Sequence, residues 1–303
     1  MSIRVQNLVK KYGEQIAVNA IGFQLNKGEI VGFLGPNGAG KSTTMKMITG
    51  YLMPDEGNIE VCGINAVTDP LSSKKKIGYL PEANPLYLDM YIREYLGFIC
   101  NVHHLSNKKE KTEAVIKKVG LSPEAHKKIG QLSKGYRQRV GLAAAMIHDP
   151  EVLILDEPTS GLDPNQIMEI RGVIRQLAEN KTILFSSHIM QEVESLCDRV
   201  IIINKGKIVA DNSLSQLKSM SAGDTYLVLV EFGAPVSISL LEKMEGAVSV
   251  EKNGNAVYAI SSKDPESIRR QLLQTSVNMQ WNILSLQTQE QNLESVFKDL
   301  TTK

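Results

Sequence analysis

The sequence is poor in cysteine and nearly balanced in charge. Its three cysteines, Cys62, Cys100 and Cys197, are scattered and lack the spacing of metal ligands. This pattern favours small buried or half-buried side chains in a reducing compartment. The net charge is only +1 over 303 residues, so charge gives no reason to expect a nucleic-acid partner.

Long apolar runs are also missing. A membrane-spanning helix needs roughly 18 consecutive apolar residues, whereas the longest runs here, 152–155 and 200–203, have the length of buried strands. The first residues alternate in polarity like a strand and do not resemble a signal peptide. We therefore expect a soluble protein, or one that reaches a membrane only through a partner.

The order of predicted elements indicates two domains. Residues 1–220 alternate strands with helices, which is typical of an α/β domain with a largely parallel sheet, and 85–148 form a helical subdomain within it. Within this domain we expect a turn at 10–13, a helix that starts at Ser122 with proline at its first position, and a helix over 164–178. Residues 224–303 follow the order β-α-β-β-α-β plus a closing helix at 292–300. That order predicts a small split βαβ, or ferredoxin-like, α+β domain.

The strongest motif fits G-x-x-x-x-G-K-[ST], the phosphate-binding loop, and it stands between a predicted strand and a predicted helix as this loop requires. It consists of Gly35, Pro36, Asn37, Gly38, Ala39, Gly40, Lys41, Ser42 and Thr43. Glycines let backbone N–H groups wrap a triphosphate closely, and the new helix adds the positive end of its dipole. We expect Lys41 to reach the β- and γ-phosphates and the Ser42 hydroxyl to ligate Mg²⁺.

A second motif, which is acidic, completes this chemistry. The apolar strand 151–155 ends in Asp156 and Glu157. In a phosphate-loop ATPase, an aspartate at this position holds Mg²⁺ directly or through water. The glutamate beside it orients or deprotonates the attacking water. Alone, the pair is equally typical of a strand that ends in solvent-facing acidic residues. The presence of a phosphate loop in the same chain favours the catalytic interpretation.

The segment 132–140, Leu-Ser-Lys-Gly-Tyr-Arg-Gln-Arg-Val, resembles the signature of the ATP-binding cassette (ABC) family, usually written L-S-G-G-Q. Lys134 replaces a glycine and Tyr136 replaces the glutamine, while Ser133 and Gly135 are retained. The resemblance implies that Ser133 and Gly135 touch the γ-phosphate. Taken alone, the segment is equally typical of an ordinary helix cap.

Other positions match the family in order. Tyr12 stands where an aromatic residue stacks on adenine, although a partly buried turn tyrosine is the alternative. The loop 160–163 resembles the one that couples two ATP sites across a dimer, which assigns Asp163 to the ATP site. His188 resembles the catalytic switch histidine that senses the γ-phosphate, whereas a lone histidine is more often structural.

Glu82 departs from the family pattern, in which a glutamine at this place contacts Mg²⁺ and the water. A carboxylate here can still accept hydrogen bonds or lie near Mg²⁺, but it adds negative charge near the γ-phosphate. The combination of Tyr-Leu-Pro-Glu at 79–82, the 132–143 segment and a C-terminal extension is similar to gliding-motility-type and drug-exporter-type subunits, which pair with ABC-2-type membrane proteins. This resemblance covers about residues 1–220 and is loose beyond them.

The resemblance implies a cytoplasmic ATPase at the membrane face. Two chains would bind two ATP molecules between them, each held by the phosphate loop of one chain and the signature of the other, and hydrolysis would drive a separate permease. The segment 82–95 would face that permease through residues 85–88, which serve equally well as subdomain core. A DNA-repair or translation ATPase fits the architecture and charge less well, and a nucleotide-binding regulator without turnover is a further alternative.

Overall fold

The computed structural model describes residues 1–221, 226–290, 297, 300 and 301. The chain divides into two compact units, Met1–Leu214 and Ser215–Lys303. The division therefore falls after Leu214. The sequence had predicted that the first domain ends six residues later, at residue 220. Strand pairing runs on to Ser213, and a helix that the sequence did not predict begins at the next residue.

The first unit is built from two sheets and the helices around them. Its strands are β1 (Ile3–Tyr12), β2 (Gln15–Leu25), β3 (Ile30–Leu34), β4 (Glu56–Val61), β5 (Ile64–Asn65), β6 (Ile77–Leu80), β7 (Val152–Asp156), β8 (Thr182–Ser187), β9 (Arg199–Asn204) and β10 (Lys207–Ser213). Its helices are α1 (Lys41–Ile48), α2 (Pro70–Lys75), α3 (Ile92–Val102), α4 (Lys108–Lys118), α5 (Lys134–Met146), α6 (Pro164–Ala178) and α7 (Met190–Leu196). Helix α8 (Leu214–Ser221) begins at the division.

The larger sheet has the order β10-β9-β3-β8-β7-β6, and every neighbouring pair is parallel except β9 and β10. Strands β3, β7 and β8 are buried along their whole length, because helices and a second sheet cover both faces. The α/β prediction is confirmed. Since β3, β6, β7 and β8 are parallel, the loops after them all leave from one edge, and ligands of open α/β sheets bind at that edge.

The smaller sheet, β2-β1-β4-β5, is antiparallel and shares a core with the larger one. Phe23 of β2 and Phe33 of β3 meet in this core with ring centroids 5.6 Å apart. The predicted turn at 10–13 is wrong, because β1 continues to Tyr12, which pairs with Gln15 across a tight hairpin at Gly13. Lys11 N also donates to the Asp55 carboxylate at 2.6 Å, which fixes this end of the strand.

The predicted helical subdomain contains α3, α4 and α5. The helix predicted to start at Ser122 is wrong, since Ser122–Glu124 forms only one 3₁₀ turn with Leu121 at its N-cap position. Backbone pairing with another segment interrupts it: Ile129 N donates to Met90 O, and Gly130 N donates to Leu88 O. These tertiary bonds outweigh the local Ser-Pro start signal.

The second unit contains β11 (Tyr226–Phe232), α9 (Ile238–Glu242), β12 (Ala247–Lys252), β13 (Val257–Ser262), α10 (Pro265–Met279) and β14 (Ile283–Glu290). Its antiparallel sheet has the order β12-β13-β11-β14, which is the predicted split βαβ arrangement. Phe232 lies within its core, in edge contact with Tyr258 and Trp281. The predicted closing helix at 292–300 lies largely outside the described residues.

Candidate ATP site

The phosphate loop connects β3 to α1 at the carboxyl edge of the larger sheet. Gly40 immediately precedes α1 with φ 108°, a conformation that side chains strain to adopt, and a Cβ there would lie 2.6 Å from the carbonyl oxygen of Ala17. Glycine is therefore required at this position. Because α1 begins at Lys41, the positive end of its dipole adjoins the space above the loop.

That space is a cavity of about 520 Å³, lined by residues from the loop, the β1–β2 hairpin and the strand ends. The predicted site residues that line it are Tyr12, Asn37, Gly38, Ala39, Gly40, Lys41, Ser42, Thr43, Glu82, Glu157 and His188. Gln15, Ala17 and Ser160 also line it. Gln15 and Ala17 lie on β2, the second strand of the hairpin. The only sequence signal for them was their position shortly after Tyr12.

Lys41 is buried and already has polar partners. Its ammonium donates to the carbonyl oxygens of Gly35 at 2.7 Å and Pro36 at 3.3 Å, and it lies 3.6 Å from Oε1 of Glu157. The Lys41 and Glu157 side chains are only 6% and 8% exposed. A buried cation requires such compensation, so these partners hold the lysine charge at the phosphate loop.

Glu157 follows β7 directly, in an unusual backbone conformation. Its φ is 48°, which a non-glycine residue adopts at a cost of about 1–2 kcal/mol. Its Oε2 lies 2.8 Å from Nδ1 of His188, whose side chain is 46% exposed. The carboxylate therefore connects a buried lysine to an accessible imidazole.

Asp156 is held by a residue that no sequence motif indicated. The Ser186 hydroxyl donates to Asp156 Oδ1 at 2.6 Å and accepts from the backbone N–H of Glu157 at 2.9 Å. The parallel register places Ser186 opposite Asp156. The only signal for Ser186 was its place at the end of a buried strand, two residues before His188.

Oxygen ligands for a divalent cation converge beside the loop. Ser42, Asp156 and Glu82 line a second cavity of about 630 Å³. Hydroxyl and carboxylate oxygens are the donors that Mg²⁺ prefers, with phosphates and water completing its shell. Over the described residues, no cluster of three or more His, Cys, Asp or Glu side chains is arranged to hold a metal alone. The hydroxyl of Ser42 and the carboxylates of Asp156 and Glu82 are thus a donor set that fits Mg²⁺.

The signature residues lie elsewhere. Ser133 caps α5 and accepts from Tyr136 N at 3.4 Å. A Cβ on Gly135 would lie 2.6 Å from Oε1 of Gln166, so this glycine allows α6 to approach the start of α5. Asp163 caps α6 and accepts from Gln166 N at 2.9 Å. The residues that line the phosphate cavity do not include Ser133, Gly135 or Asp163.

The sequence profile of the ABC transporter family matches residues 18–160. The linearmycin resistance ATP-binding protein LnrL of Bacillus subtilis (strain 168) is 38% identical over 308 residues, which cover 99% of this chain and 98% of that protein. The chain belongs to the ABC transporter family. It is an ATP-binding subunit and an ATPase, and the family, fold and ATPase predictions are confirmed.

Two other ABC proteins extend the comparison. The bacitracin transport ATP-binding protein BcrA of Bacillus licheniformis is 41% identical over 221 residues, covering 71% of each chain. A dimeric ATP-binding cassette solved in a post-hydrolysis state with ADP and phosphate superposes with a TM-score of 0.64 at 25% identity, covering 70% of this chain and 98% of that one. The gliding-motility part of the resemblance stays a prediction.

Proposed function

We propose that two copies of this ABC subunit close around two ATP molecules and drive export through a separate membrane protein. One observation carries the dimer: the phosphate cavity has the phosphate loop, Glu157 and His188 on its walls but lacks Ser133 and Gly135. A second chain would supply those two residues. The dimeric cassette described above supports this arrangement.

Within one site, Lys41 would exchange its carbonyl and Glu157 partners for the β- and γ-phosphates. This exchange frees the Glu157 carboxylate to accept a proton from the attacking water. His188, hydrogen-bonded to Glu157, would hold the carboxylate in place and contact the γ-phosphate from the cavity wall. Tyr12, which is 51% exposed, would offer its ring to the adenine.

Ser42 and Asp156 would hold Mg²⁺, with the Ser186 hydroxyl keeping the Asp156 carboxylate oriented. Bound there, the cation supplies charge neutralisation on the phosphates. Asp163 would act by fixing the start of α6 next to Gly135, since its carboxylate is engaged as a helix cap. Gly161 lies in the same loop, where a Cβ would collide with the Lys134 ammonium.

The membrane partner would dock on the helical subdomain. Among the described residues, no helix is both long and apolar enough to cross a membrane. An aromatic surface is exposed instead: Tyr87 is 55% exposed and Leu88 49%, and the Tyr87 ring packs edge-on against Tyr95 and Phe98. Such a patch is typical of a protein interface. Relatives named for bacitracin transport and linearmycin resistance support an export role. Docked in this way, the subunit would lie at the cytoplasmic face of the membrane.

A mixing experiment tests the composite site. Lys41→Ala damages the phosphate loop, and Ser133→Arg damages the signature, so each variant alone should form no ATP-dependent dimer. In an equimolar mixture, one site pairs the intact loop of one chain with the intact signature of the other. We expect the mixture to form a dimer that traps about one ATP, as the single intact site requires. Light scattering and nucleotide content, measured in a Glu157→Gln background, report the dimer and the trapped ATP.

In the matched control, the Ser133→Arg chain is replaced by an equal amount of the Lys41→Ala chain. Every phosphate loop is then damaged, so no intact site can form. Restoration in the mixture alone supports the proposal. ATP trapping by the Ser133→Arg chain alone would contradict a site shared between chains. Tight ATP binding without dimers or turnover in the parent chain would favour the nucleotide-dependent regulator.

A further inference from the structure

One hydroxyl near the ATP site is buried without a partner among the residues that the structure describes. It is the Tyr79 hydroxyl, whose oxygen no hydrogen bond from these residues reaches. An unpaired buried polar group is unfavourable, so such a group points to a contact that forms in another state of the protein. Tyr79 is the penultimate residue of β6, immediately before the loop that carries Glu82.

The surroundings identify that contact. Tyr79 pairs in parallel register with Ile154, and Asp156 follows two residues later on β7, so Tyr79 and Asp156 lie on the same face of the sheet. Tyr79, Ser42, Asp156 and Glu82 all line the 630 Å³ cavity. Burial is the largest effect that raises the pKa of the Tyr79 hydroxyl, followed by the charges of Asp156, Tyr51 and Glu82. The carboxylates of Asp156 and Glu82 therefore act on a hydroxyl that stays protonated and can donate.

We propose that Tyr79 is a positioning residue for the magnesium side of the ATP site, and that its hydroxyl donates to the Glu82 carboxylate when Mg²⁺ and ATP are bound. This inference rests on the ATP site proposed above. Asp156 accepts from Ser186 through Oδ1 and, in the site proposed above, is committed to Mg²⁺. Glu82 is exposed and has no hydrogen bond or ion pair within the described part of the chain. Glu82 is therefore the acceptor that remains available to Tyr79.

The glutamate that stands in place of the family glutamine explains why a donor is needed here. A glutamine carries its own N–H₂ donor and no charge, whereas an ionised glutamate only accepts. Near the phosphates, the negative charge of Glu82 would be repelled, and a cation together with a hydrogen-bond donor would offset that repulsion. Tyr79 supplies the donor from the protein side, and the arrangement couples the loop after β6 to occupation of the metal position.

A double-mutant cycle tests the pairing. The affinity for a fluorescent N-methylanthraniloyl ATP is measured with saturating Mg²⁺ and with EDTA, for the parent chain, Tyr79→Phe, Glu82→Gln and the double variant. Hydrogen bonds to charged groups are the stronger ones, so Tyr79→Phe should weaken binding about tenfold with Mg²⁺ and leave binding in EDTA unchanged. In the Glu82→Gln background the same change should cost less than about twofold.

Thermal unfolding separates positioning from a general structural role. Removing an unpaired hydroxyl should leave the nucleotide-free protein as stable as the parent or more stable, while the rise in Tm with Mg²⁺ and ATP should shrink. Tyr51→Phe is the matched control, because Tyr51 lines the same cavity and is 78% exposed, and it should change neither quantity.

Three results would overturn the pairing. The first is an equal loss from Tyr79→Phe in the parent and in the Glu82→Gln background. The second is a loss of stability without nucleotide combined with an unchanged Mg²⁺ dependence, and the third is normal Mg²⁺-dependent binding by Tyr79→Phe. Failure of the parent chain itself to bind ATP would instead overturn the proposed function.

Discussion

Oε2 of Glu157 lies 2.8 Å from Nδ1 of His188. The other carboxylate oxygen lies 3.6 Å from the Lys41 ammonium, so one buried carboxylate contacts both the phosphate loop and the loop after β8. Lys41, Glu157 and His188 thus form one electrostatic unit. Residues that act as a unit have strongly non-additive effects when they are mutated.

The first prediction follows from this unit. His188→Ala should lower kcat for ATP hydrolysis about 100-fold and change KM by less than about threefold, because a positioned acid–base partner acts mainly in the transition state. Adding His188→Ala to Glu157→Gln should have almost no further effect on kcat. The control is His126→Ala at an exposed position of the same chain. Independent, multiplicative losses would contradict the unit.

The second prediction concerns Gly135. Gly135→Ala should fold, because its Cβ would meet the far end of the flexible Gln166 side chain. The displaced amide and the new methyl group should obstruct the partner's phosphate, so hydrolysis should fall about tenfold or more, equivalent to about 1.4 kcal/mol. Gly172→Ala on α6 is the matched control, because a Cβ there meets nothing within 4 Å. Full activity of Gly135→Ala would argue against signature contact.

The third prediction concerns acid stability. His148 stacks on His103 with ring centroids 3.9 Å apart, and its Nε2 lies 3.0 Å from the carbonyl oxygen of Ile77. Burial, then His103 and Lys181, lower the pKa of His148 to about 4, against raising effects of the Ile77 carbonyl and Asp149. Burial also lowers the pKa of His103.

Because the folded pKa of His148 is lowered, the unfolded chain binds more protons between about pH 6.5 and 4, and stability falls as the pH falls through this window. His148→Gln should flatten the dependence of unfolding free energy on pH there. A difference of one bound proton would give a slope of about 1.4 kcal/mol per pH unit. The change in slope should be smaller than this, because the His148 ring is only partly buried. Denaturant titrations at several pH values measure it. A slope for His148→Gln equal to that of the parent chain would contradict the assignment.

The sequence predicted elements best where local chemistry and tertiary structure agree. Helix α6 runs from Pro164 to Ala178 as predicted, with the Asp163 cap and proline at its first position. The similar Ser-Pro signal at residue 122 failed because pairing of 128–130 with 88–91 dominates there. A local pattern carries no information about such a distant partner.

The candidate site divides in the same way. Motif spacing identified the residues at the ends of β3, β7 and β8, because parallel strands bring their carboxyl ends together. It did not predict Ser186 as the partner of Asp156, the left-handed backbone at Glu157 or the unpaired hydroxyl of Tyr79. These features depend on register, burial and backbone geometry, which only the folded chain displays.

The most direct test of ATP-driven dimerisation compares ATP turnover and oligomeric state in the parent chain and Glu157→Gln, with light scattering at saturating Mg²⁺ and ATP. The parent should hydrolyse ATP and dimerise only transiently. Glu157→Gln should lose at least about 100-fold in kcat and accumulate as a dimer that holds ATP. Hydrolysis by Glu157→Gln at the parent rate, or a variant that binds ATP and stays monomeric, would contradict the proposed mechanism.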